Sequence, residues 1–248
     1  FLLLLRSPLQ LFQCGFQLSF LAVFSIGGPG KALTERFAAK RKLCAAFLQS
    51  LTVFLITLPV ISYWFFSLPP YGILLNLLVI PMTGALLLLG FVLLAAAFTV
   101  PPLALLCGQI LHLALGMQIL LCRLAEHLPF HRILLGRPKA WQLVAYSLCL
   151  SLSFRLLLGR SAQEKEKRFS KKRCVLFVCA VFGAVLSLLP IRSRVPRVWV
   201  LDIGQGDALV IEQGSRCITI DGGSTSRPDC GKQVIEPFLM SRALGSVD

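Results

Sequence analysis

Long apolar blocks separated by short polar connections fill the first 191 residues of the chain. A hydrocarbon core about 30 Å thick takes about 20 apolar helical residues to cross, so these blocks predict membrane-spanning helices. We predict six spans, over about Leu9–Ile26, Leu43–Phe66, Gly72–Val100, Leu103–Ala125, Trp141–Leu158 and Cys174–Pro190. The third contains Asn76, Pro81, Gly84 and Gly90, which predict that it tilts, kinks or is a broken helix.

The pattern changes after Ile191. Residues 197–211 form a β-branched run, a turn with two glycines and a second apolar run, which predict strand, turn and strand. A β-branched run followed by a turn with two glycines occurs again at residues 217–223, which end in Asp221, Gly222 and Gly223. We therefore divide the chain into a transmembrane domain of about six spans, residues 1–191, and the start of a water-soluble β-rich domain, residues 192–248.

Composition supports this division. The chain has 248 residues, of which 56% are apolar, and its mean hydropathy is +0.78. The formal net charge of +14 lies entirely in the first 191 residues, which carry 18 basic residues and four acidic ones, whereas residues 192–248 carry seven of each. Membrane topology accounts for such a bias, so the basicity by itself does not indicate a nucleic-acid-binding surface.

Two basic connections predict the orientation of the spans. Residues 30–42 have a net charge of +4 and residues 159–173 have a net charge of +5, and four predicted spans separate them. Both connections therefore lie on one side, which the positive-inside rule identifies as the cytoplasm. Ser67–Tyr71, Glu126–Ala140 and the β-rich domain are then outside. Aromatic residues near the predicted interfaces fit a membrane belt, namely Tyr63, Trp64, Tyr71 and Trp141.

Polar side chains within the spans suggest two kinds of role. In a continuous first span, Arg6, Gln10, Gln13 and Gln17 would fall within a sector of about 60°, and Phe20 and Phe24 would continue the stripe. Such amides either line a polar path or join helices by hydrogen bonds. Both readings stay open for three further polar residues, Asn76, Gln109 and His112. No carboxylate lies at depth, which disfavours a proton- or cation-coupled carrier.

Cysteine and histidine spacing does not predict a metal site. The nine cysteines are scattered singly, and no pair has the spacing of a zinc knuckle. His127 and His131 flank Pro129, which disfavours the continuous helix that a metal-binding pair would need. Whether Cys217 and Cys230 pair is left open.

Several motifs, in order along nearly the whole chain, carry a family resemblance. They are Gly15-Phe-Gln-Leu-Ser-Phe20, Asn76-Leu-Leu-Val-Ile-Pro81, Asp202-Ile-Gly-Gln-Gly-Asp-Ala208, Ile220-Asp-Gly-Gly223 and Val234-Ile-Glu-Pro-Phe-Leu239. Each motif alone is weak, but together they resemble the ComEC family of DNA-uptake competence proteins. The resemblance implies a polytopic α-helical membrane protein, followed by the truncated start of an α/β metallo-β-lactamase-like domain.

The resemblance also implies a function. The membrane domain of this family is expected to pass single-stranded DNA into the cytoplasm across the bacterial plasma (inner) membrane. The metallohydrolase-like domain outside is a proposed nuclease for the other strand. Single-stranded DNA, membrane lipids, an external DNA receptor and a cytoplasmic ATP-driven motor are the implied partners. The structural turns of the hydrolase-like domain would be formed by Asp202, Gly204, Gln205, Gly206, Asp207, Asp221, Gly222 and Gly223, with Asp221 as a structural aspartate that supports the metal site.

The sequence departs from the full pattern of that family at its metal ligands. The family takes them from a His-x-His-x-Asp-His loop, and no such loop occurs in these 248 residues, whose three histidines all lie before residue 192. We therefore predict no catalytic or metal-binding residue in this sequence, and the resemblance implies zinc or manganese in the longer protein. The start at Phe1 without methionine, and the end within a βαβ-like unit, predict a fragment.

Three functions remain in competition. The first is a channel component for uptake of single-stranded DNA. The second is a membrane-anchored metallohydrolase, a nuclease whose catalytic residues lie beyond this fragment, although six spans are more than an anchor needs. The third is an ion- or solute-coupled transporter with a sensing domain, which the missing intramembrane carboxylates disfavour.

Overall fold

The structure is a computed structural model that describes residues 2–37, 41–158, 171–192, 195–245 and 247. Its α-helices are α1 (Leu2–Arg6), α2 (Cys14–Ser25), α3 (Lys31–Phe37), α4 (Lys42–Phe65), α5 (Gly72–Thr99), α6 (Pro101–Glu126), α7 (Ala140–Leu158), α8 (Lys171–Ser187) and α9 (Glu236–Ser241). Its strands are β1 (Ser67–Leu68), β2 (Ile133–Leu134), β3 (Arg197–Val200), β4 (Ala208–Gln213) and β5 (Arg216–Asp221).

Four helices among the described residues are long and apolar enough to cross a membrane, by length and composition: α4, α5, α6 and α7. They correspond to the second, third, fourth and fifth predicted spans. α5 continues through Pro81 for 28 residues, so the break considered for this span does not form. Membrane helices tolerate proline when neighbouring groups satisfy the freed backbone.

The first predicted span is not one continuous helix. A 3-10 turn covers Pro8–Phe12, Gln13 has an extended backbone with φ −82° and ψ 133°, and α2 begins at Cys14. The Gln17 side chain donates a hydrogen bond to the Leu11 carbonyl at 2.9 Å, which satisfies an acceptor that the interrupted helix leaves open. The expectation of a single helix over Leu9–Ile26 was therefore wrong.

The sixth predicted span is the short helix α8, which packs along α7. At one end, the Gln142 amide of α7 donates to the carbonyls of Ser187 and Leu189, at 2.8 and 3.0 Å. Towards the other end, the Phe154 and Phe177 rings lie 5.9 Å apart. α8 therefore runs back beside α7, and the chain leaves α8 at the end where α7 begins. Its charged connection to α7, residues 159–170, lies outside the described residues.

The strands β3, β4 and β5 form an antiparallel sheet in chain order, with Trp199 opposite Val210 and Ala208 opposite Asp221. Alternate residues of β4 are buried, as expected for a strand with one covered face. Val210 and Cys217 pack with Leu244, whereas Cys230 packs with Ile203 and Ala208. The two cysteines thus lie in separate clusters, and no disulfide joins them.

Contacts group the chain into two compact units. Unit 1 comprises residues 1–24, 55–68 and 134–248, and unit 2 comprises residues 25–54 and 69–133. The antiparallel sheet thus belongs to the same unit as α7 and α8. The helices α5 and α6 pack against each other in unit 2.

Candidate functional site

The two glycine-rich turns of the sheet pack directly on one another. Gly206 has φ +139°, and a Cβ added there would overlap the carbonyl oxygen of Gly223. The Gln205 amide donates to the Ser226 hydroxyl at 2.9 Å, and the Thr225 amide donates to the Gln205 carbonyl at 3.0 Å. Only glycine combines this backbone conformation with this close approach, so the two turns form one structural cluster.

The aspartates of these turns are used mainly in backbone hydrogen bonds. One Asp202 carboxylate oxygen accepts from the Gly204 amide at 3.1 Å, and an Asp221 oxygen accepts from Gly222 at 2.8 Å. Asp221 itself has φ +60°, which aspartate tolerates better than most residues. Asp207 lies exposed beside this cluster. No group of three or more His, Cys, Asp or Glu side chains that fits a metal ion occurs among the described residues.

The polar residues of the first predicted span lie on separate elements. Arg6 ends α1, Gln10 lies in the 3-10 turn, Gln13 is extended, and Gln17 lies in α2. The stripe of about 60° required a continuous helix, so it does not form. Gln17 instead accepts a hydrogen bond from the Trp64 indole at 3.1 Å and thereby joins α2 to the end of α4. For Arg6, Gln10 and Gln13, lining a path and joining helices both stay predictions.

Helix α6 carries one further polar residue and a glycine on the same face as the two polar residues predicted from the sequence. Gln109, His112, Gly116 and Arg123 are all exposed, and at about 100° per residue they share a sector of about 60°. We call these four residues the α6 polar face. Gln109 and His112 are residues 9 and 12 of a 26-residue helix, so they lie near the middle of the span. The signal that reveals Gly116 and Arg123 is helical spacing within the block 101–126.

The opposite side of α6 packs against α5. Cys107 is buried there, and the Gln118 amide donates to the Thr83 hydroxyl at 3.3 Å. The other polar atom of Gln118, Oε1, is buried and has no hydrogen-bond partner among the described residues. Asn76 is half-buried and lies two helical turns before Thr83, on the same side of α5. Gln118 is not among the polar residues predicted from the sequence.

A buried carboxylate holds the sheet to the end of α9. Glu212 is 3% exposed, and it accepts hydrogen bonds from Arg242 at 2.9 and 3.0 Å and from the Trp199 indole at 2.9 Å. The Arg242 guanidinium also lies over the Trp199 ring, 4.9 Å from its centroid. Burial by itself raises the pKa of Glu212, but the hydrogen bonds from Arg242 and Trp199 and the charges of Arg242 and Arg197 lower that pKa below its ordinary value.

Comparison with known proteins identifies the class of this protein. The family model described as "Competence protein" matches residues 1–160, which is more than half of the chain. The chain therefore belongs to the Competence protein family, and with its four apolar helices it is a multi-pass membrane protein. The family predicted from the sequence motifs is thus confirmed.

One curated relative is similar over almost the whole chain. The chain is 24% identical over 265 residues to "ComE operon protein 3" of Bacillus subtilis (strain 168), a match that covers 99% of this chain and 32% of that protein. The chain thus spans about a third of the length of that relative. No solved structure matches the chain.

Proposed function

We propose that the chain is a membrane channel component for the uptake of single-stranded DNA into the cytoplasm during natural transformation. The observation that carries this proposal is the α6 polar face, which lies near mid-span and points away from α5. Facing lipid is unfavourable for Gln109 and His112, whereas a water-filled path satisfies both side chains. Membership of the competence family supports the same assignment.

The chemistry of the α6 polar face suits a nucleic-acid strand. An amide and an imidazole can exchange hydrogen bonds with phosphates, sugars and bases. Arg123, in the last turn of the helix, supplies a positive charge for a phosphate. An amide and an imidazole in the middle, with a cation near one end, would let a strand enter without binding it too tightly to leave.

The proposed orientation places the antiparallel sheet outside the cytoplasm. Within unit 1, the hydrogen bonds of Gln142 hold the end of α8 beside the start of α7. In the proposed orientation the sheet, which comes after α8, therefore lies on the same side of the membrane as the α6–α7 connection. The basic connections at 30–42 and 159–173 indicate the cytoplasmic face by the positive-inside rule. An external DNA receptor and a cytoplasmic ATP-driven motor are the partners that the family resemblance implies.

The identity of the sheet as the start of a metallo-β-lactamase-like domain is a further part of the proposal. Its support is the packed pair of glycine turns, from Asp202 to Asp207 and from Asp221 to Gly223. The alternative function is a membrane-anchored metallohydrolase whose catalytic residues would lie beyond this sequence. A role as an anchor leaves the α6 polar face unexplained, so we favour the channel.

The channel proposal predicts a large loss of transport when the α6 polar face is made apolar. In the full-length protein, Q109L together with H112L should lower uptake of labelled DNA at least about tenfold. Leucine is among the most favourable residues for membrane insertion, so the variant should still reach the membrane. The measurement is internalised label per unit of protein in the membrane fraction.

A matched control uses the apolar flank of the same helix. Leu106 and Leu113 are both exposed, and L106I with L113I changes two side chains of α6 without altering its polarity. Uptake should stay within about twofold of wild type. If Q109L/H112L takes up DNA as well as this control does, the assignment of α6 to the path is wrong.

A further inference from the structure

A cleft lined by basic residues lies in unit 1, where helix ends meet the antiparallel sheet. Its volume is about 70 Å³, roughly five times what one ordered water requires. The polar residues that line it and matter here are Arg137, Lys139, Gln142, Arg192, Glu212 and Arg242. They come from the α6–α7 connection, the start of α7, the exit of α8, β4 and the end of α9. We call it the basic cleft.

The charges of the basic cleft do not balance. Glu212 is buried and already paired with Arg242, in a salt bridge of 2.9 Å. Among the described residues, Arg137, Lys139 and Arg192 have no carboxylate within salt-bridge distance. Three uncompensated cations beside one cavity repel each other, and an anion in the cavity would relieve that repulsion.

Two of these cations are held in place while keeping donors to spare. The Arg137 guanidinium donates to the Tyr63 hydroxyl and lies 4.5 Å from the centroid of that ring. Arg192 donates one hydrogen bond to the Ala243 carbonyl at 3.0 Å. A guanidinium has five N–H donors, so each can still donate to an anion. Holding these side chains in advance lowers the entropic penalty of binding.

The surroundings of the basic cleft are those of a membrane surface. Tyr63 lies near the end of α4, Lys139 immediately precedes α7, and Arg192 follows α8. Trp64 and Trp141, at two of these helix ends, are exposed large aromatic side chains of the kind that lie at the level of lipid headgroups.

We propose that the basic cleft binds the phosphate group of a phospholipid headgroup, with a preference for lipids of net negative charge. Arg137, Lys139 and Arg192 would donate charge-assisted hydrogen bonds to the phosphate oxygens. The bound lipid would tie the exit of α8 and the end of α9 to the membrane surface. This site is separate from the α6 polar face and does not depend on the proposed transport of DNA.

The test uses the full-length protein in two kinds of nanodisc. One contains phosphatidylcholine alone, and in the other phosphatidylglycerol makes up a tenth of the lipid. After extraction, native mass spectrometry counts the lipids that remain bound. Wild-type protein should retain phosphatidylglycerol in preference to phosphatidylcholine, and K139Q with R192Q should lower that retention about tenfold. The control K232Q removes an exposed cation of the same unit that does not line the cleft, and it should leave retention unchanged.

Two further measurements keep the test decisive. The charge-conserving pair K139R and R192K should retain the lipid, which separates loss of binding from loss of fold. Retention unchanged in K139Q/R192Q, or lowered equally by K232Q, would overturn the proposal. It would also be overturned if a single-stranded oligonucleotide, rather than the lipid, bound wild-type protein and lost affinity in K139Q/R192Q, because the cleft would then receive nucleic acid.

Discussion

Replacing Gly206 with alanine is expected to destabilise the antiparallel sheet by about 3 kcal/mol. At φ +139° the backbone of Gly206 occupies a region that L-residues rarely adopt. An added methyl group would overlap the Gly223 carbonyl, and because this neighbour is backbone, it cannot rotate away. The two turns must therefore separate, and the hydrogen bonds from Gln205 to Ser226 and from Thr225 to Gln205 should break with them.

Hydrogen exchange of the β4 and β5 amides in the full-length protein measures this effect as a change in the free energy of local opening. Gly214 provides a matched control, since it has φ +64° but no atom within 4 Å of an added Cβ. G214N should cost about 1 kcal/mol or less, because asparagine tolerates this conformation. Equal protection in G206A and wild type would mean that the turns do not pack as described.

Removing the Glu212 carboxylate, as in E212A, is expected to destabilise the same sheet by about 2 to 3 kcal/mol. The substitution leaves the Trp199 indole N–H and the half-buried Arg242 guanidinium without their acceptor. Breaking one partner of a buried ion pair is costly because the remaining charge keeps its desolvation penalty. The Arg242 side chain is partly exposed, so water still solvates part of its charge. The loss of stability should therefore be below the largest values known for buried ion pairs.

The control for this prediction is E236A, which removes an exposed carboxylate of the same unit. It should change the free energy of opening by no more than about 0.5 kcal/mol. E212Q should fall between the two, since glutamine keeps an acceptor oxygen but no charge. An E212A variant as protected as E236A would show that the carboxylate does not hold β4 to the end of α9.

Sequence alone located four of the spans and the sheet because their signals are local. Apolar runs of 18 or more residues predict α4, α5, α6 and α7, and glycines between β-branched runs predict the turns at Gly204 and Gly222. The motifs in both parts also identified the family.

The interruption at Gln13 could not be predicted in the same way. It depends on the Gln17 side chain, which contacts Leu11 across the break and Trp64 on α4. Hydropathy treats Leu9–Ile26 as uniform, because it does not register which amide satisfies which carbonyl. The basic cleft was missed for a related reason: Arg137, Arg192 and Arg242 are about 50 residues apart in sequence, and only the fold brings them together.

The α6 polar face could be predicted from the sequence only in part. Gln109 and His112 were selected as neighbours within one turn, but the side of the helix to which they belong is defined only by the packing against α5. Gln118 donates a hydrogen bond to Thr83 of α5. The opposite side of α6 therefore faces away from α5, and the polar residues on it are exposed.

The most direct test of the channel is the accessibility of that surface to water. In a cysteine-free full-length protein, H112C and L106C place one thiol each on two sides of α6, the second among exposed apolar residues. A charged, water-soluble maleimide should label H112C readily, label L106C hardly at all, and label H112C more slowly when single-stranded DNA is added. If H112C were as unreactive as L106C, the α6 polar face would not line an aqueous path, and the proposed channel would be contradicted.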